Sequence, residues 1–172
     1  ETFRISQLSR AIDDADDAIL GNDSSITLKK ELIPNLTVAL DYIINFSNEL
    51  YHPYTNFEGT LTSTDFTFID DFDVVRENCK FDDSKGDVRI FRMQDGQKVI
   101  VNALAGTIDY ITGRVQINNF KPESFVGNSL DIKTIPLNSD LQAKNNQIIL
   151  INEQDINLSI FDISTTVETS EV

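Results

Sequence analysis

The chain has no tryptophan, one cysteine, one histidine and one methionine in 172 residues, and each scarcity removes a class of chemistry. With Cys79 alone, no intrachain disulfide can form, so a disulfide scaffold is excluded and stability must come from packing. Cys79 and His52 are too few to hold zinc. His52, within Tyr51-His52-Pro53-Tyr54, is also the one side chain whose ordinary pKa suits proton transfer near neutrality. One Cys and one His are weak grounds for a catalytic dyad, and His52 reads instead as a loop or interface residue. There is no Gly-rich phosphate loop with its lysine, and no apolar run approaches the ~20 residues that span a bilayer. Basic residues are scarce as well: 14 Lys and Arg against 28 Asp and Glu leave a net charge of −14. Such a surface repels phosphate backbones and anionic membranes, so neither nucleic acid nor membrane is expected as a partner. No cofactor and no metal are expected, and the chain is not expected to be an enzyme.

What remains is ample for a packed core. Hydrophobic residues make up 40 % and charged residues 24 %, which places the chain among folded globular domains rather than disordered ones. It begins at Glu1 without a basic segment followed by an apolar one, and reads as a processed or excised piece of a longer chain.

Near the N-terminus, Leu8, Ile12, Ala15 and Ile19 are spaced by four, three and four, which predicts an amphipathic helix over Ile5–Leu20, capped by Ser6 and stopped by Gly21 and Asn22. Burying Leu8, Ile12 and Ile19 would contribute about 1.5–3 kcal/mol each, so the helix is expected to dock on its own sheet or on another chain. From Ile26 the period changes to two, most clearly at Val38, Leu40, Tyr42, Ile44 and Phe46. Further strands are predicted at 25–32, 64–69, 88–93, 98–102, 107–110, 114–118, 129–135, 147–151 and 157–163. Lys85-Gly86, Asp95-Gly96 and Thr112-Gly113 fall between such runs as hairpin turns. No second helical pattern separates the strands. The predicted fold is therefore α+β but predominantly β, an antiparallel β-sandwich or partly closed barrel with one N-terminal amphipathic helix. It is expected to form one domain over residues 3–164, with a long loop or subdomain boundary at 51–62 and a frayed tail at 165–172.

Three groups of residues invite a chemical reading. Asp13, Asp14, Asp16 and Asp17 could hold a divalent ion, but at helical spacing they read as the solvated side of the helix. The stretch 82–87, Asp-Asp-Ser-Lys-Gly-Asp, resembles a calcium loop with a glycine at a ligand position, and reads as a polar hairpin turn. Phe66, Phe68, Phe91 and Phe161 sit at strand positions and are expected in the core. The sequons at Asn22, Asn35, Asn45 and Asn157 read as chance.

Several stretches in order resemble one family. They are the run from Ala11 to Leu20 with Lys29-Lys30 and Pro34, then Phe46-Ser47-Asn48-Glu49-Leu50-Tyr51-His52-Pro53, and then Thr62-Ser63-Thr64-Asp65-Phe66. Gly106-Thr107-Ile108-Asp109-Tyr110-Ile111-Thr112-Gly113-Arg114-Val115 follows with Asn119-Phe120 and Pro122, and the set closes with Ile135-Pro136, Asp140, Asn146-Gln147-Ile148 and Asp155-Ile156. Together these resemble the ring-forming baseplate wedge subunits of large contractile-tailed phages, related to baseplate J-like proteins. Asn145 stands where that family commonly has Arg, so an ion pair made there by relatives does not carry over.

The resemblance implies the C-terminal portion of a structural virion protein that joins wedges into the inner ring of a tail baseplate. Its implied partners are another copy of itself and neighbouring wedge proteins, and it implies no catalytic residue. On this reading the candidate interface residues are Tyr51, His52, Tyr54 and Phe57 in the loop, and Leu8, Ile12 and Ile19 on the helix stripe. The alternative is a β-sandwich carbohydrate-binding or adhesin-like module of a tail or cell surface, against which stand the missing Trp and the four Tyr.

Overall fold

The computed structural model describes residues 2–142 and 150–161. In chain order the elements are β1 (Thr2–Phe3), α1 (Ile5–Asp13), β2 (Leu28–Leu32), β3 (Leu40–Asn45), β4 (Leu61–Ser63), β5 (Phe66–Ile69) and β6 (Val75–Ser84). They continue with β7 (Asp87–Gln94), β8 (Gln97–Asp109), β9 (Arg114–Phe120), β10 (Ser124–Phe125), β11 (Leu130–Thr134), β12 (Leu141–Gln142) and a 3-10 turn at Glu153–Asp155. The fold is mostly β, as the periodicity predicts: a seven-stranded antiparallel sheet curled into a half barrel, a three-stranded antiparallel sheet, and one N-terminal helix. The large sheet runs β10-β5-β6-β7-β8-β9-β3, the small one β2-β11-β4, and β1 pairs with β12.

Local chemistry sets the sheet connections. Lys85 and Gly86 (φ 55° and 92°), like Asp95 and Gly96 (51° and 76°), take left-handed backbone at both central positions of their turns, the geometry that suits two-residue hairpins. The two strands expected at 98–102 and 107–110 are one continuous β8, with register shifts against β7. That continuity requires Gly106, since a Cβ there would overlap the Gln116 carbonyl of β9.

The core lies between the concave face of the large sheet and the small sheet. Phe66, Phe81 and Phe120 meet with ring centroids 4.9–5.2 Å apart, and Leu61, Leu130 and Ile132 close over the cluster from the small sheet. Hydrogen bonds between side chain and backbone join the two sheets. The Phe81 N–H donates to the Ser63 hydroxyl at 2.9 Å, and the Leu61 N–H donates to Asp83 at 2.7 Å.

Several expectations need correction. The helix ends at Asp13 rather than Leu20, with Arg4 rather than Ser6 at its N-cap position and no side-chain cap bond. Asp13, Asp14, Asp16 and Asp17 would stack carboxylates at the negative end of the helix dipole, and Asp16 instead accepts the Ala18 N–H in a turn. Asp82 and Asp83 belong to a strand and are buried; the turn is confined to Lys85 and Gly86. Strand β6 was hidden from the sequence pattern by its polar run. Phe161 is exposed, and 157–161 forms no strand. Most of the expected strand 147–151, the end of 157–163, the resemblance stretch at 146–148 and the tail 165–172 lie outside the described residues.

Phe120 touches Tyr42, Phe66, Phe68 and Phe81 and is almost fully buried. Phe120→Ala is expected to cost about 3–5 kcal/mol in urea unfolding. A loss under about 1 kcal/mol would contradict this placement of the core.

Candidate functional site

The loop that follows β3 carries the aromatic residues singled out in the sequence, and the chain pins it at both ends. Gly113, at φ 69°, lets the β8–β9 turn approach the loop entry so closely that a Cβ would overlap the Asn48 carbonyl. Leu50 then donates its N–H to the Tyr110 carbonyl at 2.7 Å, and Tyr51 donates to the Ile135 carbonyl at 2.9 Å. At the exit, the Thr60 hydroxyl donates back to the Tyr51 carbonyl at 2.6 Å. Between these anchors the Phe57 N–H donates to the Tyr54 carbonyl at 2.9 Å, folding the loop on itself.

The four loop residues expected at an interface come together. Phe57 is the hub: Tyr51, His52 and Tyr54 each meet it edge-on, at 5.4, 6.4 and 5.5 Å between centroids. His52 turns its ring onto Tyr110, stacked at 3.8 Å and 7°. Tyr51 and Tyr54 face outward, Tyr54 62 % exposed. Beside them an open cleft of about 400 Å³ is lined by His52, Thr55, Lys85, Tyr110 and Ile111. His52 Nδ1 is buried there with no hydrogen-bond partner among the described residues.

Beneath the loop lies a polar foundation that the sequence did not disclose. Tyr110 donates its hydroxyl to Asp83 at 2.9 Å and accepts the Gly86 N–H at 3.3 Å. Burial first, and then the charge of Asp83, raise the Tyr110 phenol above its ordinary range, so it remains a donor. Asp83 is 0 % exposed and receives two donors, Tyr110 and the Leu61 N–H. Next to it, the buried Asp82 takes a two-pronged bond from Arg89, at 3.1 and 2.6 Å, and an ion pair from Lys98. Arg89 also reaches Glu58 at 3.0 and 3.2 Å, and Ser84 donates to Glu58 at 2.9 Å. These contacts hold the end of the aromatic loop on the β6–β7 hairpin. The Arg89 bond first, then that of Ser84, lower the Glu58 carboxyl to about 2.

The helix stripe behaves differently. No residue of α1 is buried; Leu8 is exposed, Ile12 is partly covered, and Ile19 lies beyond the helix end on a turn. Leu8 and Ile12, four apart on α1, share a helical face that Ile19 does not continue. The helix is steadied by Asn22, which donates to the Ser9 carbonyl and to Asp13 at 2.9 and 2.6 Å.

Cys79 is buried and its thiol is pushed up to about 11 by burial, opposite to the shift that activates a nucleophile. Among the described residues, no group of three or more His, Cys, Asp or Glu could hold a metal ion. No family model, curated protein or solved structure matches the chain.

Two outcomes are expected. Asp83→Ala strands the Leu61 N–H and the Tyr110 hydroxyl in the interior and should cost about 2–4 kcal/mol in chemical denaturation, with the near-ultraviolet signal of the tyrosines altered. A neutral result would contradict the role given to Asp83. Glu58 has a folded-state pKa below its ordinary 4.5, so its stabilisation is complete above pH 4.5 and is lost as pH falls through about 2. Glu58→Gln should flatten the decline of Tm over that window. The effect is small because Glu58 is partly solvated. Parallel Tm–pH curves for the two proteins would refute it.

Proposed function

We propose that this chain is a structural association module of a contractile phage tail baseplate, joining copies of itself and neighbouring wedge proteins within the virion, and that it acts through surfaces rather than through catalysis. The observation that carries the reading is the aromatic loop at residues 51–57. It presents Tyr51 and Tyr54 outward while Phe57, the His52–Tyr110 stack and the Asp82–Arg89–Glu58 contacts hold it in one conformation. Outward tyrosines on a rigid base lose little entropy when a partner covers them, which is why such rings recur at the centres of protein interfaces. Ile111, exposed on the rim of the adjoining cleft, extends the patch. The ordered set of family-like stretches supports the baseplate setting, and two of those stretches, 46–53 and 106–115, meet in this loop through the Leu50–Tyr110 and His52–Tyr110 contacts.

With a net charge of −14, two copies repel at long range, so self-association has to be driven by short-range apolar contact and should strengthen with added salt. In light scattering over a concentration series, the chain is expected to associate and to dissociate on dilution. Tyr51→Ser with Tyr54→Ser should raise the dissociation concentration at least tenfold, with a fall in Tm limited to the loss of two edge contacts on Phe57. A strict monomer at every concentration and salt level would refute self-association by this chain.

A further inference from the structure

The described C-terminal segment, residues 150–161, is rich in large apolar side chains that the chain leaves uncovered. Leu150, Ile151, Ile156, Leu158, Ile160 and Phe161 are 54 to 85 % exposed. Ile156, Leu158 and Ile160 alternate with Asn157 and Ser159, the pattern of a strand with one face to bury, yet this stretch pairs with no strand among the described residues. Its root is held: Asp155 bonds Lys29 of β2 at 2.9 Å, and Asn152 closes the 3-10 turn onto Asp155 at 3.1 Å. From that anchor the arm runs as six uncharged residues, Ile156 to Phe161.

The large sheet has a bare edge of the same length. The Phe46 N–H donates to the Gly113 carbonyl in the register that pairs Ile44 with Val115 and Tyr42 with Ile117. The N–H and C=O groups of Ile43 and Asn45, one residue out of phase, therefore face away from β9, and β3 has no neighbour on that side among the described residues. Ile43 is 61 % exposed. The other edges are blunted. Strand β10 is two residues long, β2 carries Lys29, Lys30 and Glu31, and β4 is bonded to β6 through Ser63 and Asp83. The single charge on β3, Asp41, is engaged by the Asn119 N–H at 2.7 Å.

We propose that the arm at residues 156–161 adds as a strand to the open β3 edge of a second copy of this chain. Six residues at about 3.3 Å each match the roughly 20 Å of β3, supply partners for the free Ile43 and Asn45 backbone groups, and bury the arm's apolar face. A second copy is the occupant because the arm is uncharged and the edge carries a single charge, Asp41, in an otherwise acidic chain, and because the arm and the edge of one chain do not pair. The contact rests on the self-association reading above and gives it a second, unlike surface, as a ring of identical subunits requires.

The test mixes two variants of the 172-residue chain. Ile43→Lys charges the edge, Leu158→Asp with Ile160→Asp spoils the arm, and Phe72→Asp, at an 85 % exposed position outside both, is the control. All three sites are exposed, so melting temperatures should match the parent. In light scattering, each of the first two is expected to associate at least tenfold more weakly than the parent, the control to be unchanged, and an equimolar mixture of the first two to form a heterodimer, since one intact arm then meets one intact edge. Loss in both without recovery on mixing, or an equal loss in Phe72→Asp, would overturn the strand addition. A parent that associates while both variants match it would overturn the arm contact alone and leave the self-association reading standing. A parent that stays monomeric would overturn both.

Discussion

The structure depends on a buried carboxylate. Asp83 sits at the end of β6 without solvent, and its two oxygens take the Leu61 N–H from the small sheet and the Tyr110 hydroxyl from the end of β8. A carboxylate in such a place is tolerated because both oxygens have donors, and it costs heavily if either is removed. By holding Leu61 it fixes the distance between the two sheets, and with it the layer in which Phe66, Phe81 and Phe120 pack. By holding Tyr110 it fixes the ring on which His52 stacks. The shape of the outward loop therefore depends in part on a side chain that solvent does not reach.

Much of the fold was legible because half-buried strands announce themselves with a period of two. Strand β3 with the residue after it, where Ile44 and Phe46 are buried while Ile43 points out, β7 with its Asp95-Gly96 turn, and β11 with Leu130 and Ile132 all follow that rule. Strand β6 does not. Asp82 and Asp83 are buried on its opposite faces, where Arg89 and Lys98 pair with the first and Tyr110 donates to the second, and no local pattern encodes partners brought by topology. The helix was overextended for the converse reason: the apolar spacing continues to Ile19, but carboxylates at the C-terminal end stop it at Asp13.

The loop at 51–57 was legible as an aromatic cluster with proline, and the structure brings Tyr51, His52, Tyr54 and Phe57 together around Phe57. The ion contacts that stiffen it were not legible, because Glu58, Asp82, Arg89 and Lys98 are scattered along the chain. Phe161 misled for an instructive reason. A strand-like segment that pairs with no strand among the described residues has the composition of a core element and the exposure of a surface one. In a chain of net charge −14, the proposed self-association would use these largely uncharged, apolar surfaces.

The central claim, that this chain associates through defined apolar surfaces on a rigid β scaffold, is tested most directly by hydrogen exchange at low and at high protein concentration. Concentrated protein is expected to gain protection at the backbone of residues 51–57, at Ile43 and Asn45, and along 156–161, while the Asp95-Gly96 hairpin tip is unchanged. Exchange that is identical at both concentrations, or protection spread evenly over the surface, would contradict it.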